Sequence, residues 1–267
     1  MDLTHKAVDR LRLAAQMSET YYGQPLVIAT SGGKDSDVCL HLAAASGIRY
    51  EVMHNHTSVD APETMYHVRD TFRRLELAGV KCTVNYPVYK GVPVNMWTLI
   101  PQKLMPPTRT VRYCCAVLKE TGGVGRMIVT GVRWSESVKR RNNRGVYESV
   151  PHDISKKVII NNDNTDTRRL FENCKIQAKR VCNPIVDWTD YDVWSYIRAE
   201  RITVNPLYGY GFHRVGCVGC PMAGRRKRFF EFGRYPTYQR AYIRAFDRML
   251  SERAARGKLD GSWRAGT

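Results

Sequence analysis

Four of the eight cysteines in the sequence occur as two local pairs. Cys114 and Cys115 are adjacent in "RYCC", and Cys217 and Cys220 form the Cys-x-x-Cys pair of "GCVGC". Thiolates three residues apart at a glycine-rich turn converge on one metal ion or on two corners of a cluster. Adjacent cysteines can share such a centre only at a turn or at the start of a helix. The pattern predicts a site for a metal cluster. The alternatives are a single zinc ion and four metal-free thiols.

A loop rich in glycine and hydroxyl groups, "SGGKDS", lies at residues 31–36 between the apolar runs "PLVIAT" and "DVCLHL". A loop that leaves a parallel strand and enters a helix offers backbone N–H groups and the positive end of the helix dipole to a phosphate. This loop lacks the G-x-x-x-x-G-K-[ST] spacing of Walker A. A structural Gly-Gly turn is the alternative. The candidate phosphate-binding residues are Ser31, Gly32, Gly33, Lys34 and Ser36.

Polar and basic side chains follow two other predicted strands. His54 and His56 end "IRYEVMHNHT", whereas Arg133, Arg140 and Arg141 follow "RMIVTGV". Guanidinium groups bind phosphate oxygens in a bidentate manner, so the arginines are candidates for clamping phosphates or a nucleic-acid backbone. The alternatives are a solvated arginine loop and structural histidines.

The predicted strands alternate with helices over the first half of the chain. The strands are "PLVIAT", "IRYEVMHNHT", "VKCTVNYPV" and "RMIVTGV", and a helix over 61–79 carries apolar residues at helical spacing. This alternation predicts an α/β fold with an open, mostly parallel sheet and helices on both faces. We expect a nucleotide-binding domain over 1–210. A C-terminal segment over 211–267, with the Cys-x-x-Cys pair and a helix, is expected to pack on the same core.

Two later stretches carry further signals. Residues 142–180 are polar and charged, and we predict an insertion in which "KKVII" is the only strand. In "NPIVDWTDYDVWSYI", Asp187 or Thr189 is expected to cap a helix. Tyr208, a little further on, is expected to serve in packing.

The composition indicates a basic, folded protein. With 267 residues and a net charge of +17, the chain can bury one main core and suits polyanionic partners. It contains neither an apolar run of spanning length nor a secretory signal, so we expect a cytoplasmic protein without a membrane partner. Cytosolic thiols favour metal ligation or catalysis over disulfides. The basic run 225–228, followed by Phe229 and Phe230, suits a nucleic-acid strand, with a solvated turn as the alternative.

The loop "SGGKDS" resembles the PP-loop of the N-type ATP pyrophosphatases. With the two cysteine pairs, "HTSVDAPET", "TGVRWSESVKRR" and "NPIVDWTDYDVWSYI" resemble the phosphoadenylyl-sulfate and adenylyl-sulfate reductase family of that superfamily, over about residues 26–222. The resemblance implies the PP-loop fold and ATP with Mg²⁺ at the loop, where Asp35 faces the pyrophosphate and His54 lies near the adenosine. It also implies a [4Fe–4S] cluster held by Cys114, Cys115, Cys217 and Cys220.

Two departures from the reductases bear on the activity. Those enzymes carry a nucleophilic cysteine in a Glu-Cys-Gly-x-His tail, whereas no cysteine follows Cys220 here. Their loop is degenerate, whereas "SGGKDS" is the intact ATP-type loop. The motifs are therefore most similar to the ATP-using, cluster-bearing relatives, such as the sulfurtransferase of DNA phosphorothioation.

The resemblance implies an ATP-dependent, adenylating iron–sulfur sulfurtransferase that acts on a nucleic acid (DNA or tRNA) or a nucleotide, with a cysteine desulfurase as sulfur donor. Lys34, Ser36 and Arg133 are the expected catalytic residues. One alternative is a reductase of adenylyl sulfate or its 3′-phosphorylated form, with the thiol supplied in trans or by Cys174 or Cys182. Another is a non-catalytic nucleic-acid-binding module.

Overall fold

The structure is a computed structural model that describes residues 2–150, 158–161 and 179–258. The helices in these residues are α1 (Leu3–Tyr22), α2 (Lys34–Ala45), α3 (Pro62–Leu77), α4 (Met96–Lys103), α5 (Tyr113–Leu118), α6 (Val138–Asn143), α7 (Asp190–Ala199), α8 (Arg225–Arg234) and α9 (Pro236–Ala255). The strands are β1 (Leu26–Thr30), β2 (Tyr50–Asn55), β3 (Cys82–Asn85), β4 (Val88–Tyr89), β5 (Val92–Pro93), β6 (Met127–Val129), β7 (Tyr147–Val150), β8 (Val158–Ile160) and β9 (Lys179–Cys182).

Seven of these strands form one sheet in the order β3-β2-β1-β6-β9-β7-β8. The first five strands in this order, β3, β2, β1, β6 and β9, are parallel. The strand β7 pairs antiparallel with β9 and β8. The predicted α/β fold with a mostly parallel sheet and flanking helices is confirmed. The direction of winding reverses between β1 and β6, because β2 and β3 lie on one side of β1 and β6 on the other. Open α/β sheets bind their ligands at the carboxyl ends of strands at such a switch point.

The contacts of the chain group it into two units. The first unit contains the large sheet and comprises the described residues of Met1–Asn55, Pro62–Asn85 and Gly122–Val215. The second comprises the described residues of His56–Ala61, Tyr86–Thr121 and Gly216–Thr267. The predicted division at residue 210 lies close to one of these boundaries. It differs in that the second unit also takes two segments from the first half of the chain, which a linear division cannot represent.

Each unit has its own apolar core. In the first, Ile28 of β1 packs with Val38 and Leu42 of α2, all fully buried. In the second, Leu99 of α4 packs with Met249 of α9 in a separate cluster. Burial of each such side chain stabilises the fold by about 1.5–3 kcal/mol. The C-terminal helix α9 therefore contributes to the core of the second unit.

The region 142–180 contains more strand than the sequence analysis predicted. The strand expected at "KKVII" is present as β8, but β7 and β9 were missed. Both carry buried polar residues: Glu148 lies in β7 and Arg180 in β9. Glu148 Oε1 accepts hydrogen bonds from Arg144 Nε at 2.7 Å and Asn183 Nδ2 at 2.8 Å, and such partners are what makes burial of a carboxylate tolerable.

The start of α7 agrees with one of the two predicted caps. Thr189 is the N-cap: its Oγ1 accepts a hydrogen bond from the Asp192 backbone N–H, and the Asp192 carboxylate accepts one from the Thr189 backbone N–H. Asp187 is not the cap, because its carboxylate instead binds Arg10 Nη1 at 2.7 Å and Lys6 Nζ at 2.8 Å on α1. The ion pair fastens α1 to the segment that precedes α7.

Two further observations bear on partners. The basic run at 225–228, for which a solvated turn was the alternative, opens the ten-residue helix α8. No helix in the described ranges has the length and hydropathy needed to cross a bilayer.

Candidate functional site

The loop at 31–36 joins β1 directly to α2, at the reversal point of the sheet. Its backbone is held by its own hydroxyl groups. Ser36 Oγ donates to the Gly33 carbonyl at 2.7 Å and accepts from the Ser31 N–H at 3.3 Å. Gly33 is the N-cap of α2 and provides no side chain to cap it. The helix therefore begins with backbone N–H groups at the loop, which is the arrangement that binds phosphate.

Two glycines allow the backbone of this loop to pass close to its neighbours. Gly32 has a φ of +69°, and a Cβ there would lie 2.9 Å from Thr64 Cγ2 and from Val68 Cγ2. Gly131, which follows β6, passes the loop so closely that a Cβ would lie 2.7 Å from the Asp35 carbonyl carbon. The ends of β1 and β6 therefore meet at the loop without a side chain between them.

Two cations converge on two carboxylates beside the loop. Lys34 Nζ lies 2.9 Å from Asp190 Oδ1 and 3.4 Å from Asp35 Oδ1. Arg133, after β6, binds Asp35 Oδ1 through Nε at 2.8 Å and Asp190 Oδ1 through Nη2 at 3.0 Å. Partial burial opposes ionisation of Asp190, but the hydrogen bonds and charges of Lys34 and Arg133 outweigh it and lower its pKa. Lys34, Asp35 and Arg133, three of the predicted site residues, are thus brought together.

More arginine side chains surround the segment after β6. Burial, with repulsion from Arg214 and Arg144, lowers the pKa of Arg140 to about 10. Glu136 partly compensates, because it pairs with Arg140 and lies 3.6 Å from Arg214. Several arginine side chains gathered in one region favour an anionic ligand.

Two residues that position the loop were not identified from the sequence. Asn205, which is buried, donates through Nδ2 to the Gly32 carbonyl at 2.9 Å and to Thr64 Oγ1 at 3.1 Å. The Tyr208 hydroxyl accepts from the Lys34 backbone N–H at 2.9 Å, so Tyr208 does more than pack. Both lie about 170 positions from the loop in the sequence, and only their Asn-Pro and aromatic setting in "NPLYGYGF" could have indicated them. Asp190 was missed for the same reason.

His54 lies at the end of β2 and contacts the residue that precedes the loop. Its Nδ1 is 3.0 Å from the Thr30 carbonyl oxygen, and a carbonyl only accepts, so Nδ1 carries the proton. The side chain is buried. His54 therefore fixes the exit of β1, and its predicted place near an adenosine stays a prediction. His56 belongs to the second unit and contacts Tyr86 with the rings tilted and their centroids 5.4 Å apart.

The four cysteines of the two pairs all belong to the second unit. Cys114 and Cys115 lie in the first turn of α5, the kind of position expected for adjacent ligands. Cys217 pairs with Asp60 in an isolated β-bridge, and its Sγ lies 3.7 Å from Thr57 Oγ1. Gly219, between Cys217 and Cys220, has a φ of +70°, and a Cβ there would lie 2.6 Å from the Phe232 ring. The turn of the pair is therefore built around a glycine.

The surroundings favour a thiolate at Cys115, whereas burial raises the pKa of Cys217. A hydrogen bond from Cys114 lowers the pKa of Cys115 to about 5, and Arg112, whose Nη2 lies 3.2 Å from Cys115 Sγ, acts in the same direction. Cys114 holds the shared proton, so its pKa is raised, and Cys217 and Cys220 add to that rise electrostatically. The Cys217 thiolate in turn raises the pKa of Lys119. Cys115, Cys217 and Cys220 thus all act on the protonation of Cys114.

The arrangement differs from that of a single-ion site. Across the described residues, no three His, Cys, Asp or Glu side chains are placed to hold one metal ion. A single zinc ion needs all its sulfurs at about 2.3 Å from one point, whereas a polynuclear iron–sulfur cluster is held by thiolates on different irons. The [4Fe–4S] cluster expected at the four cysteines therefore stays a prediction.

The other thiols are less available. Cys39 and Cys182 are fully buried, and burial raises the pKa of Cys39 well above its usual range. Cys182, one of two candidates for a nucleophile, has its Sγ 3.9 Å from the Arg10 carbonyl inside the core of the first unit. The other candidate, Cys174, lies outside the described residues.

Comparison with known proteins places the chain in a family. The chain is 25% identical to an uncharacterized protein of Methanocaldococcus jannaschii over 90% of its own length, and spans 44% of that relative. It is 23% identical to the adenosine 5′-phosphosulfate reductase of Bacillus cereus, with 75% of each chain covered. A solved phosphoadenylyl-sulfate (PAPS) reductase from Candida auris superposes with a TM-score of 0.49 at 17% identity, over 79% of this chain and 88% of that one. The phosphoadenosine phosphosulfate reductase domain family matches residues 25–223, and because this is most of the sequence, the chain belongs to that family.

Proposed function

We propose that the protein is an ATP-dependent sulfurtransferase that adenylates an oxygen of a nucleic acid or nucleotide. The observation that supports this most is the loop "SGGKDS" at the reversal point of the sheet, with the cations of Lys34 and Arg133 converging 2.9 and 3.0 Å from one carboxylate oxygen of Asp190. Two cations on one oxygen anion provide the arrangement that a phosphate oxygen needs. The intact loop and these cations favour a triphosphate over a sulfonucleotide.

The residues of the loop have separate roles in this proposal. The acceptor oxygen attacks the α-phosphorus, and the P–O bond to pyrophosphate breaks. Backbone N–H groups at the start of α2, with Lys34 and Arg133, stabilise the charge that develops on the leaving pyrophosphate. Ser31 and Ser36 shape the loop that presents those groups, and Asp35 would hold Mg²⁺. A sulfur nucleophile, supplied by a donor such as a cysteine desulfurase, then displaces AMP.

The cysteines of the second unit are proposed to hold a [4Fe–4S] cluster through Cys114, Cys115, Cys217 and Cys220. When bound, the cluster would supply a centre that is structural or electrostatic, because all four thiolates are available as ligands. Arg112 donates to Cys115 and Lys119 lies beside Cys217, so these two cations offset the negative charge that four thiolates bring into the unit.

A second candidate function has its own support. Relatives that include the Bacillus cereus protein carry the name adenosine 5′-phosphosulfate reductase, and one of them shares 75% coverage with this chain. A reductase would form sulfite from adenylyl sulfate and needs a thiol nucleophile. Burial of Cys182 leaves a thiol supplied in trans or by Cys174 for that role. The two functions differ in substrate and product and are separable by the products released from ATP and from adenylyl sulfate.

The experiment uses the anaerobically purified full chain with a single-stranded oligonucleotide and sulfide. We expect AMP and pyrophosphate from ATP in equal amounts, and Lys34→Ala should lower their rate by about 10²- to 10³-fold. Lys81→Ala, which removes an exposed lysine elsewhere in the first unit, is the matched control. Sulfite release from adenylyl sulfate with added thiol, without pyrophosphate from ATP, would establish the reductase instead.

A further inference from the structure

The outward face of α8 displays two phenylalanine rings. One face of the helix carries Arg226 and, three, four and seven positions after it, Phe229, Phe230 and Gly233. Phe229 is 83% exposed and Phe230 is 54% exposed. The opposite face is fixed inside the second unit, because Glu231 is buried and accepts from the Gly219 N–H at 3.0 Å. The helix is therefore held with its aromatic face outward.

Leaving these two rings exposed forgoes the stabilisation that their burial inside the fold would give. Burial of a phenylalanine side chain stabilises a fold by about 1.5–3 kcal/mol, and adjacent exposed apolar side chains mark binding surfaces more often than isolated ones. Gly233 continues the same face without a side chain, and a Cβ there would meet no heavy atom within 4 Å. The rings thus border open space into which a flat group can enter.

Basic side chains frame the rings. Arg225, Arg226 and Arg228 are exposed, whereas Lys227 lies 3.7 Å from Glu231. The following helix α9 adds a row of exposed arginines with a spacing of four, Arg240, Arg244 and Arg248. The whole chain carries a net charge of +17. A ligand that matches both features is a polyanion with exposed flat rings.

We infer that the outward face of α8 binds single-stranded nucleic acid, with bases stacked on Phe229 and Phe230 and phosphates paired with Arg225, Arg226 and Arg228. Single strands present unpaired bases to aromatic side chains, whereas a duplex keeps its bases stacked inside. An acidic protein or an anionic membrane would match the charge but not the stacking geometry. The role of this strand as the acceptor in catalysis rests on the proposed function, whereas the binding of the strand does not.

The test measures binding of the full chain to a fluorescent single-stranded oligonucleotide of about 20 nucleotides by anisotropy, without ATP. Base stacking contributes about 1–3 kcal/mol per base, so Phe229→Ala with Phe230→Ala should weaken binding by about 30-fold or more. The matched control is Tyr66→Ala with Leu77→Ala, which removes two exposed apolar side chains from α3. A second variant, Phe229→Leu with Phe230→Leu, keeps apolar bulk but no ring and should also bind weakly.

The charges are tested by salt dependence. Each phosphate contact on a single strand contributes about 0.7 to the slope of log affinity against log salt, so Arg225→Gln, Arg226→Gln and Arg228→Gln together should reduce the slope by about 2. The same change at Arg69, Arg73 and Arg74, exposed on α3, is the control.

Three outcomes would overturn the inference. These are wild-type affinity in the Phe→Ala variant, equal affinity for duplex and single strand, and ring-dependent binding to anionic lipid vesicles without oligonucleotide binding. The binding test contains no ATP and is therefore independent of turnover. A chain that binds the strand in this test but releases no pyrophosphate when ATP is supplied refutes only the proposed function. A chain that releases pyrophosphate with a mononucleotide acceptor and ignores the strand refutes only this inference.

Discussion

Lys34 of the phosphate-type loop forms an ion pair with Asp190, the first residue of α7, over a distance of 2.9 Å. The same carboxylate oxygen accepts from Arg133 at 3.0 Å. Arg133 is 3% exposed, whereas the Asp190 side chain is 65% exposed and can leave. The two cations proposed to bind a pyrophosphate are thus held by an internal anion that an incoming phosphate can replace.

Asp190→Asn should therefore strengthen ATP binding. The substitution removes a negative charge beside the phosphate position and releases Lys34 and Arg133, and an exposed ion pair of this kind is worth about 1 kcal/mol, which corresponds to about fivefold in Kd. Calorimetric titration with ATP measures it. Glu200→Gln, an exposed carboxylate that ends the same helix, should leave the Kd unchanged. Weaker binding by Asp190→Asn would mean that Asp190 positions the cations instead of competing for them.

Gly32→Ala should destabilise the loop more than its backbone conformation alone requires. An L-residue in the left-handed region costs about 1–2 kcal/mol, and the new Cβ would also lie 2.9 Å from two methyl groups of α3. Gly23→Ala is the control, because Gly23 has a φ of +61° but open space around its Cβ position. Urea unfolding should show a loss of about 1 kcal/mol for Gly23→Ala and of about 2 kcal/mol or more for Gly32→Ala. Equal losses would show that the close packing of the loop on α3 is relaxed in solution.

The sequence predicts the parts of the site whose residues are close together in the chain. The loop 31–36 follows an apolar strand and carries its own hydroxyl and glycine residues, and the two cysteine pairs are short strings. Asn205 and Asp190 cannot be found in this way, because each acts on the loop from more than 150 positions away. Their types, an amide and a carboxylate in a polar stretch, have many ordinary uses.

The fold shows the same distinction. β1 and β6 are apolar runs and are predicted directly, whereas β7 and β9 were missed because they bury Glu148 and Arg180. Those side chains are buried only because the tertiary structure supplies partners: Arg144 for Glu148 and the rings of Tyr21 and Tyr22 for Arg180. Hydrophobic periodicity cannot identify a strand whose buried polar residues find their partners elsewhere in the tertiary structure.

Stability should depend on pH through Asp187. Partial burial raises its pKa, but the hydrogen bonds and charges of Arg10 and Lys6 outweigh this and leave the pKa below its ordinary value. A carboxyl with a lowered folded-state pKa contributes stability above its unfolded pKa of about 3.9 and loses it as the pH falls through the folded value. Asp187→Asn should therefore lose about 2–3 kcal/mol near neutral pH, because it leaves buried Arg10 without its charge partner.

The free energy of unfolding from pH 3 to pH 7 measures this dependence. The difference between the wild type and Asp187→Asn should be largest above about pH 5 and should narrow below about pH 4. Asp9→Asn, which removes an exposed carboxylate from α1, is the control and should change stability by under about 0.5 kcal/mol. A constant difference across the range would show that the Asp187 side chain acts by hydrogen bonding and shape, without its charge.

Replacement of the Cys-x-x-Cys ligands should remove the proposed cluster. Cys217→Ser with Cys220→Ser takes away two of four thiolates, so the anaerobically purified variant should lose most of its iron, its acid-labile sulfide and its broad visible absorption. Cys82→Ala is the control: burial raises the pKa of Cys82 to about 11, so it is a thiol at neutral pH and a poor ligand, and it lies in the first unit.

Metal analysis distinguishes the remaining possibilities. The wild type should contain about four irons and four sulfides per chain, and the control should match it. One zinc per chain without sulfide, lost in the same double variant, would mean that the four thiols rearrange to close on a single ion. Iron and sulfide that persist in the double variant would place the ligands elsewhere in the chain. That result would refute the proposal that the second unit holds the cluster. The proposed ATP site of the first unit would be tested separately, by pyrophosphate release.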